Sequence, residues 1–541
     1  MGKYLIVGDV DHIQDYVFGS TRLRSIRGAS AFLDIVAEKV KLSPPLPLES
    51  KDILRWRGGQ IVALLKNGTE AQAEAICAYI EDTYRRLSAG EASITMKYEP
   101  YDNFSDSIAN VFRKIQNEKD ERQTFGSYGE GWLTSSYDHR CEFIPSLSSA
   151  CHIPIGQKPD IARKYMSRAA LKRWNIVTSG SEIPSDRDLK CKFSAEGIKT
   201  GIIPYKPEDL WSNDSDERYM AFVMADGNGF GQLLQSIPNE DLYRAYSQEL
   251  HQLVLSSIVM ASEMSGITTF LSKSLKGDTL PLIPIILGGD DMSFLIRDEH
   301  AVGFAYHLCN SFWKLSDNKS SDGISYKYPA IQEVINHFIC NNREMGKLLF
   351  PNNLRRLTLS TGIAIAKINF PISLFRRTAK ELEESAKAKI RSEPNYILEG
   401  GAIDFAVITT STVQPLDDIR KQYTFVDEFA DTFSGHTLLT QRPYTVKQFG
   451  KLQQLSEAFK NIPRSKRKLL YQEFFKGKAR ATETYQFVMS REKENKEKLD
   501  DILRDQFNYE RGNDTPFHKD IRDDKTPILD ALELAELNPE E

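Results

Sequence analysis

Several classes of protein are excluded by what this 541-residue sequence lacks. No apolar run approaches the length that spans a bilayer, and the N-terminus has no charged-then-apolar signal region, so we expect a cytoplasmic protein without membrane contact. The six cysteines are too scattered for a disulfide framework. A formal net charge of -5 excludes a global basic field, so nucleic-acid binding would rely on local patches.

The composition that remains is that of a multidomain globular protein. Hydrophobic residues make up 40% of the chain, which is ordinary for a folded protein, and the length suffices for several complete cores.

One short motif carries most of the chemical information. Gly288, Gly289, Asp290 and Asp291 lie between the apolar runs 282–287 and 292–296, and two such runs joined by Gly-Gly predict a β-hairpin. Mg²⁺ prefers carboxylate and phosphate oxygens, and the glycines leave room for phosphates to approach the two acids. An isolated Gly-Gly-Asp-Asp is more often a solvated turn, so its context must decide.

A third acid ends another predicted strand. Residues 219–225 are mostly apolar and lead directly into Asp226; after a glycine-rich turn, helical spacing of apolar residues continues to Ile258. This order of strand, acid, turn and helix places backbone N–H groups where a triphosphate can bind. We therefore expect Asp226, Asp290 and Asp291 to be catalytic ligands of Mg²⁺ or Mn²⁺. The predicted nucleotide-binding residues in these two motifs are Gly227, Asn228, Gly229, Phe230, Gly231, Gly288 and Gly289.

The apolar run 357–366 predicts a further strand after the helical stretch that follows the hairpin. It completes the order β-α-β-β-α-β, which is the ferredoxin-like pattern. An isolated solvated turn would not have this frame, so the context favours the metal site.

With these motifs, the chain resembles the large polymerase-like subunit of type III CRISPR effector complexes. That family has two ferredoxin-like palm domains related to nucleotidyl cyclases and GGDEF proteins, and the second palm carries a Gly-Gly-Asp-Asp hairpin. The matching segments, in family order, are 8–18, 24–30, 226–231, 288–291, 359–364, 370–372 and 386–387.

The resemblance implies an enzyme that joins ATP through 3′–5′ bonds into cyclic oligoadenylate second messengers in antiviral defence. Two metal ions would activate the 3′-hydroxyl and stabilise the charge on the phosphates. The partners it implies are ATP and, as open alternatives, RNA, other effector subunits or a second copy of the chain.

The fold class is predicted as α+β, with two palms, a connector and a helical C-terminal domain. The predicted domains are a degenerate, structural first palm over 1–100, a connector over 101–218, the second palm over 219–412 and the helical domain over 413–541. The first palm repeats the element order of the second, but Gln60 stands after its glycines instead of an acid. Asp9 and Asp11 therefore face no opposing ligands, and Asp11, Gln14 and Arg27 are read as capping and pairing residues.

Two further positions of the second palm, Asn228 and Lys387, are interpreted separately. Relatives often have a second acid where this chain has Asn228, which can coordinate or donate but adds no charge. Lys387 is the candidate for a phosphate contact, because its helix should return toward the site. Its alternative is a solvated helix face, since Glu381, Glu383 and Glu384 lie nearby in the sequence.

The family's zinc knuckle is eroded in the connector. Cys141, Cys151, His152 and Cys191 are the remaining Cys and His candidates, but their spacing is poor, so zinc is not favoured. Many relatives also begin with a nuclease domain bearing a His-Asp pair. None of the nine histidines here is followed by Asp, so DNA cleavage is not predicted.

A basic cluster lies near the C-terminus, with Tyr471, Phe474 and Phe475 between its cations. Its members are Arg464, Lys466, Arg467, Lys468, Lys476, Lys478 and Arg480. Such a cluster can bind phosphate backbones, although the basic face of an amphipathic helix is usually just solvated.

Three functions stay open. The chain is a cyclic oligoadenylate synthase, a catalytically idle scaffold that binds guide RNA and partner subunits, or a GTP-using cyclic dinucleotide synthase like the GGDEF cyclases. Asp as the second acid of the hairpin and the doubled palm favour the first.

Overall fold

The fold was analysed in a computed structural model of the chain. The structure describes residues 2–42, 48, 50–57, 59–124, 140–144, 147, 149, 151–154, 163–178, 183–199, 201–211, 219–269, 271–274, 277–317, 326–350, 354–392, 400–409, 414–425, 436–507, 509, 515–520 and 523–537. Gly58 of the first predicted hairpin and the polar stretch 318–323 lie outside them.

The N-terminal part of the chain forms a four-stranded sheet in the order β2-β3-β1-β4. Its elements are β1 (Gly2–Val10), α1 (Ile13–Phe18), α2 (Leu23–Leu42), β2 (Ile53–Arg57), β3 (Gln60–Gly68), α3 (Glu70–Ser88) and β4 (Ile94–Pro100). All its strand pairs are antiparallel. This is the ferredoxin-like arrangement predicted for the first palm.

A connector of mixed structure follows. Its elements are α4 (Phe104–Thr124), β5 (Cys151–Pro154), β6 (Arg163–Met166), α5 (Arg168–Thr178) and α6 (Pro184–Ala195). The helix α4 packs on β1 and β4, so it covers the first sheet.

The second palm is built on a six-stranded sheet in the order β10-β11-β7-β12-β13-β16. Its elements before the C-terminal part are β7 (Tyr219–Gly227), α7 (Phe230–Gln235), α8 (Glu240–Met264), β8 (Ser272–Ser274), β9 (Gly277–Thr279), β10 (Leu282–Leu287), β11 (Asp291–Arg297), α9 (Asp298–Leu315), α10 (Pro329–Asn341), α11 (Arg343–Leu349), β12 (Leu359–Lys367), α12 (Ile372–Ser392) and β13 (Gly401–Ile408). The predicted hairpin is β10 and β11, and the acid-bearing strand β7 lies between β11 and β12.

The C-terminal part is mostly helical, as expected. Its elements are α13 (Leu416–Lys421), β14 (Thr424–Phe425), β15 (Thr437–Leu438), β16 (Tyr444–Thr445), α14 (Val446–Lys460), α15 (Arg464–Phe474), α16 (Lys478–Arg491), α17 (Lys493–Phe507), β17 (His518–Asp520), β18 (Asp523–Lys525) and α18 (Ile528–Leu537). It also contains a small sheet, β14-β15-β18-β17, which the sequence did not predict because strands of two or three residues carry no periodicity.

The two palms repeat one local design. Each begins with a nine-residue strand whose eighth residue is an acid, Asp9 in β1 and Asp226 in β7. Three positions later the backbone is left-handed, with φ 47° at His12 and 77° at Gly229, and a six-residue helix follows at once. The repeated turn supports an internal duplication.

The palms share their hydrophobic cores. Leu5 and Val7 of β1 pack in one core with Val223 of β7, whereas Ile6 of β1 packs in a second core with Phe222. Alternate strand residues point to opposite faces, so both sheets are covered on both sides. None of the helices in the described ranges is both long and apolar enough to cross a membrane. The predicted α+β class with two ferredoxin-like palms is confirmed.

Candidate active site at the edge of the second palm sheet

Three acidic residues meet at one edge of the six-stranded sheet. Asp226, near the end of β7, is the direct cross-strand partner of Asp291, which begins β11. The carbonyl oxygen of Asp290 accepts a hydrogen bond of 3.1 Å from the N–H of Gly227, and the N–H of Gly288 donates to the Asp291 carbonyl at 2.8 Å. The hairpin and the neighbouring strand thus bring together the three acids that the sequence singled out.

Lys387 lies at this edge rather than on a solvated helix face. Its Nζ forms an ion pair with Asp226 Oδ2 and lies 2.8 Å from Oε1 of Glu383, which is one turn earlier on α12. Burial raises the pKa of Asp226, Lys387 opposes the increase, and Asp290 adds to it. Burial alone would lower the pKa of Lys387, but Asp226 and Glu383 raise it. The lysine therefore supplies a fixed positive charge beside the acids.

The first palm contributes a contact to Asp291 that the sequence did not predict. Gln14 of α1 donates from Nε2 to Asp291 Oδ2 at 3.1 Å. Burial raises the pKa of Asp291 to about 6, the charges of Asp226 and Asp290 add to the increase, and the hydrogen bond from Gln14 opposes it. From the sequence we treat Gln14 as a capping or pairing residue, with no partner named in the second palm. A contact across 277 positions leaves no local sequence signal.

A second residue of the first palm lies near the glycines of the hairpin. A Cβ added at Gly289 would lie 3.1 Å from Arg55 Nη2 of β2. A Cβ at Gly288 would lie 2.9 Å from the carbonyl oxygen of Asp291. Larger residues at either position would therefore crowd the hairpin tip.

Asn228 is held entirely by the neighbouring strand and the residue before it. Its Oδ1 accepts a hydrogen bond of 2.8 Å from Ser360 Oγ, and its Nδ2 donates to Thr358 Oγ1 at 3.1 Å. Its backbone N–H donates to the Thr358 carbonyl at 3.0 Å. The amide therefore fastens the glycine turn to β12, and the acids left for a cation are Asp226, Asp290 and Asp291.

The remaining residues of the glycine turn are divided between turn and core. Gly229 adopts a left-handed φ of 77° just before α7, which a side chain would strain. Gly231 has open space around its Cβ position. The ring of Phe230 is 2% exposed and packs near Phe312, with 6.2 Å between ring centroids. The prediction that Phe230 binds the nucleotide therefore needs correction for its side chain, because hydrophobic burial turns the ring into the core.

The donor chemistry of the edge fits a hard divalent cation. The charge of Asp290 helps to raise the pKa of Asp226 and of Asp291, so a bound positive charge would stabilise the ionised acids. In the part of the chain that the structure describes, however, no group of three or more His, Cys, Asp or Glu side chains is arranged to hold a metal ion. Asp226 and Asp291 are engaged by Lys387 and Gln14 instead.

The corresponding position of the first palm is neutralised by a lysine. Asp9 pairs in register with Gln60, as Asp226 does with Asp291. Lys119 Nζ of α4 lies 2.7 Å from Asp9 Oδ2 and 3.3 Å from Asp11 Oδ1. Ser93 and Thr95 also donate to Asp11, each at 2.7 Å. These contacts support a structural role for both acids.

The zinc candidates of the connector differ in their surroundings. Cys141 is buried and accepts a hydrogen bond of 3.3 Å from the N–H of Ile144, whereas Cys191 is exposed on α6. The side chains of Cys151 and His152 lie outside the described residues.

Much of the basic C-terminal cluster is engaged within the fold. Lys466 lies 2.7 Å from Glu492, Arg467 lies 3.1 Å from Glu536, and Lys476 lies 2.6 Å from Glu473. Paired cations attract a phosphate backbone less than free ones, and Arg467 is buried, so binding of a phosphate backbone by this cluster is not favoured.

A cavity of about 1790 Å³ lies on the first palm, not at the three acids. It is lined by α1, α3, β4 and α4, including Asp11, Glu74 and Lys119. None of Asp226, Asp290 and Asp291 borders it. We assign the candidate active site from the acids, because chemistry requires the charged groups, whereas cavity size alone does not identify a site.

Comparisons with known proteins agree with this geometry. Residues 219–395 match the family model described as Cas10/Cmr2, second palm domain. Csm1 of T. onnurineus is 14% identical with a TM-score of 0.54, and the match covers 100% of this chain and 70% of that one. The Csm1-Csm4 cassette in complex with cA4 gives 13% identity, a TM-score of 0.52 and coverages of 100% and 70%.

The same cassette in complex with cA3 gives 15% identity, a TM-score of 0.52 and coverages of 99% and 69%. At sequence identities this low, the structural matches show a shared fold alone. Among curated proteins, none matches the chain.

The resemblance drawn from the sequence motifs is confirmed by these findings. The family model begins at the first residue of β7 and includes the hairpin, β12 and α12. Residues 219–395 therefore match the second palm domain of Cas10/Cmr2, in a chain whose fold is similar to that of Csm1.

Proposed function

We propose that this protein is a metal-dependent nucleotidyltransferase that joins ATP through 3′–5′ bonds into cyclic oligoadenylates, in an antiviral defence of the type III CRISPR kind. The observation that carries the proposal is the cross-strand pairing of Asp226 with Asp291, with Asp290 beside them, inside a matched Cas10/Cmr2 second palm. Further support comes from the Csm1-Csm4 cassettes of similar fold, which are in complex with cA4, cA3 and AMPPNP.

Each joining step of the proposed reaction forms a bond between a 3′-oxygen and the α-phosphorus of the next ATP, and the closing step joins the terminal 3′-oxygen to the α-phosphorus of the 5′-triphosphate on the same chain. The bond from that phosphorus to the β-phosphate breaks, pyrophosphate leaves, and the hydroxyl proton passes to solvent. Mg²⁺ or Mn²⁺, when held by Asp226, Asp290 and Asp291, would neutralise charge on the phosphates and acidify the 3′-hydroxyl. The acids themselves fix where the triphosphate can bind.

Lys387 has a separate part in the proposed reaction. An ammonium group bonded to Asp226 lies beside the edge where the phosphates would bind, and its charge suits the spread negative charge of a triphosphate. The side chain of Glu383 is 1% exposed and holds the lysine in place through an ion pair of 2.8 Å. We propose that Lys387 contacts a phosphate when ATP is bound.

The partner that we propose is a Csm4-like subunit. The similar folds are those of Csm1 in the Csm1-Csm4 cassette. RNA is a second expected partner, although the ion-paired C-terminal cluster is not the surface we favour for it.

The test is incubation of the purified chain with each nucleoside triphosphate and Mg²⁺ or Mn²⁺, followed by mass spectrometry of the products. We expect pyrophosphate and cyclic oligoadenylates from ATP, and neither from a variant carrying Asp290→Ala and Asp291→Ala. Asp241→Ala is the matched control, because this acid is exposed on α8 and should leave synthesis unchanged. Products formed from GTP instead of ATP would show that ATP is not the substrate.

A second candidate function is that of an idle scaffold. The observation in its favour is that Lys387 and Gln14 engage the acids, and that the described residues include no arranged group of metal ligands. A scaffold predicts stable association with small subunits and no turnover of any nucleotide. The same incubation would test the second of these expectations.

A further inference from the structure

The helix α1 reaches from the first palm to the active-site edge of the second. It follows a sharp turn at His12, where φ is 47°, a left-handed conformation that a non-glycine residue rarely adopts. The turn directs Gln14 to Asp291, to which its Nε2 donates at 3.1 Å. The second palm has the same left-handed turn at Gly229, so it is Gln14, and not the turn alone, that makes the contact between the palms.

The same glutamine is held from its other side by α12. Arg376 Nη2 donates to Gln14 Oε1 at 2.8 Å, Nη1 lies 3.6 Å from Asp15 Oδ1, and the guanidinium lies 4.9 Å from the centre of the Phe18 ring. Three residues of α1 thus fix one arginine. Because the arginine needs the amide oxygen as its acceptor, it also settles which end of the Gln14 amide faces Asp291.

The helix α12 is therefore linked to both cross-strand acids, to one directly and to the other through α1. Lys387 binds Asp226 directly, while Arg376, three turns earlier on α12, reaches Asp291 through Gln14. The duplicated turn provides no reciprocal contact, because the position in the second palm that corresponds to Gln14 is Gly231, which has no side chain and open space around its Cβ position. The first palm acts on the acids of the second through Gln14.

We propose that Gln14 and Arg376 are positioning residues, which together orient the Asp291 carboxylate for the metal ion of the active site. This inference rests on the proposed function. A carboxylate ligand that receives an outer hydrogen bond is held in one orientation before the metal arrives, so less conformational entropy is lost on binding. The role gives the first palm a use although it lacks the acids of its own hairpin.

The test measures Mn²⁺ binding to the full chain, without nucleotide, by electron paramagnetic resonance. Gln14→Met keeps the side-chain length but removes both polar atoms, and we expect about tenfold weaker binding, the usual effect of losing an outer-shell partner. Arg376→Met should weaken binding in the same direction. Arg377→Met is the matched control, because Arg377 is exposed on the same helix and pairs with Glu381.

The double variant separates a relay from two unrelated effects. If Arg376 acts through Gln14, Gln14→Met combined with Arg376→Met binds Mn²⁺ no more weakly than Gln14→Met alone. Losses that multiply would overturn the relay. Thermal unfolding midpoints matching that of Arg377→Met would exclude a merely structural effect, and unchanged Mn²⁺ binding in Gln14→Met would overturn the proposal.

The wild-type protein distinguishes this inference from the proposed function. Wild type that binds Mn²⁺, with loss of binding in Asp290→Ala combined with Asp291→Ala, supports the metal site whatever the result for Gln14. Wild type that binds no Mn²⁺ overturns the metal site and the positioning role together.

Discussion

Lys387 of α12 donates a hydrogen bond from Nζ to Asp226 Oδ2 of β7, across 161 positions of the chain. The pair joins α12 to the strand that begins the palm. In the function that we propose, a lysine held beside the acids can exchange its carboxylate partner for a phosphate of bound ATP. The contact therefore leads to a test of the lysine.

Lys387→Met should lower kcat/KM for ATP by one to two orders of magnitude, the value of about one charged hydrogen bond. The loss should fall mainly on KM if the ammonium contacts bound ATP, and on kcat if its contact forms in the transition state. Steady-state pyrophosphate release measures both constants. Arg391→Met, at the exposed end of the same helix, should match wild type, and equal kcat/KM in both variants would contradict the role of Lys387.

The parts of the site that could be predicted from the sequence are those encoded locally. Apolar runs that end at Asp226 and on either side of Gly288 and Gly289 specify strands and a turn, and the structure has strands at Tyr219–Gly227, Leu282–Leu287 and Asp291–Arg297. The spacing of the acids then follows from strand register, because β7 and β11 are neighbours in a ferredoxin-like sheet.

The contacts between distant segments could not be predicted in this way. Gln14 and Arg376 are 362 positions apart, and Lys119 and Asp9 are 110 positions apart. Each contact depends on how one palm packs on the other or on the connector, and neither leaves a period or a motif. The burial of Phe230 was missed for a related reason: a glycine-rich turn suggests access to a ligand, whereas the aromatic ring finds the core.

Gly362 of β12 lets α12 lie close to the sheet. A Cβ at this position would overlap the carbonyl oxygen of Ala379 and the backbone nitrogen of Glu383, and neither backbone atom can yield without moving the helix. We expect Gly362→Ala to lower the free energy of unfolding by about 1–3 kcal/mol. Because Glu383 and Lys387 move with α12, nucleotide synthesis should also fall.

Denaturant unfolding measures the effect of Gly362→Ala, and Gly303→Ala is its control. A Cβ at Gly303 of α9 would lie 3.6 Å from Ser265 Cβ, which is an ordinary contact, and the change should raise helix stability by about 0.5–1 kcal/mol. Equal stability of the two variants would show that α12 does not depend on the glycine.

Lys119 should stabilise the first palm as the counter-ion of Asp9 and Asp11. Its side chain is 15% exposed and lies within 3.3 Å of both acids. Lys119→Met leaves the two carboxylates without their positive charge, and we expect a loss of about 2 kcal/mol in the free energy of unfolding.

Lys114→Met provides the comparison for Lys119. Lys114 is on the same helix, its side chain is 52% exposed, and its pairing with Glu99 should contribute at most about 1 kcal/mol. Asp9→Asn should keep nucleotide synthesis, because the first palm is predicted to be structural. Loss of synthesis in a folded Asp9→Asn variant would instead place this acid in the chemistry.

Asp298 should make the stability of the protein depend on pH. It is the first residue of α9, and burial raises the pKa of its carboxyl group from 3.8 to about 7, although hydrogen bonds from the backbone oppose the increase. Between these two values the folded state binds more protons than the unfolded state. The free energy of unfolding therefore falls as pH rises through this window, and the contribution of Asp298 is complete only below its unfolded pKa.

Asp298→Asn removes this titration, so its stability relative to wild type should increase between pH 4 and pH 8. The pKa difference corresponds to about 4 kcal/mol over the whole window. Urea unfolding at both pH values measures it, with Asp241→Asn as control, because that acid occupies the first turn of α8 but is exposed. The buried carboxyl group of Asp298 must lose its proton between pH 4 and pH 8. If the free energies of unfolding of Asp298→Asn and wild type differ by the same amount at both pH values, burial does not raise the pKa of Asp298.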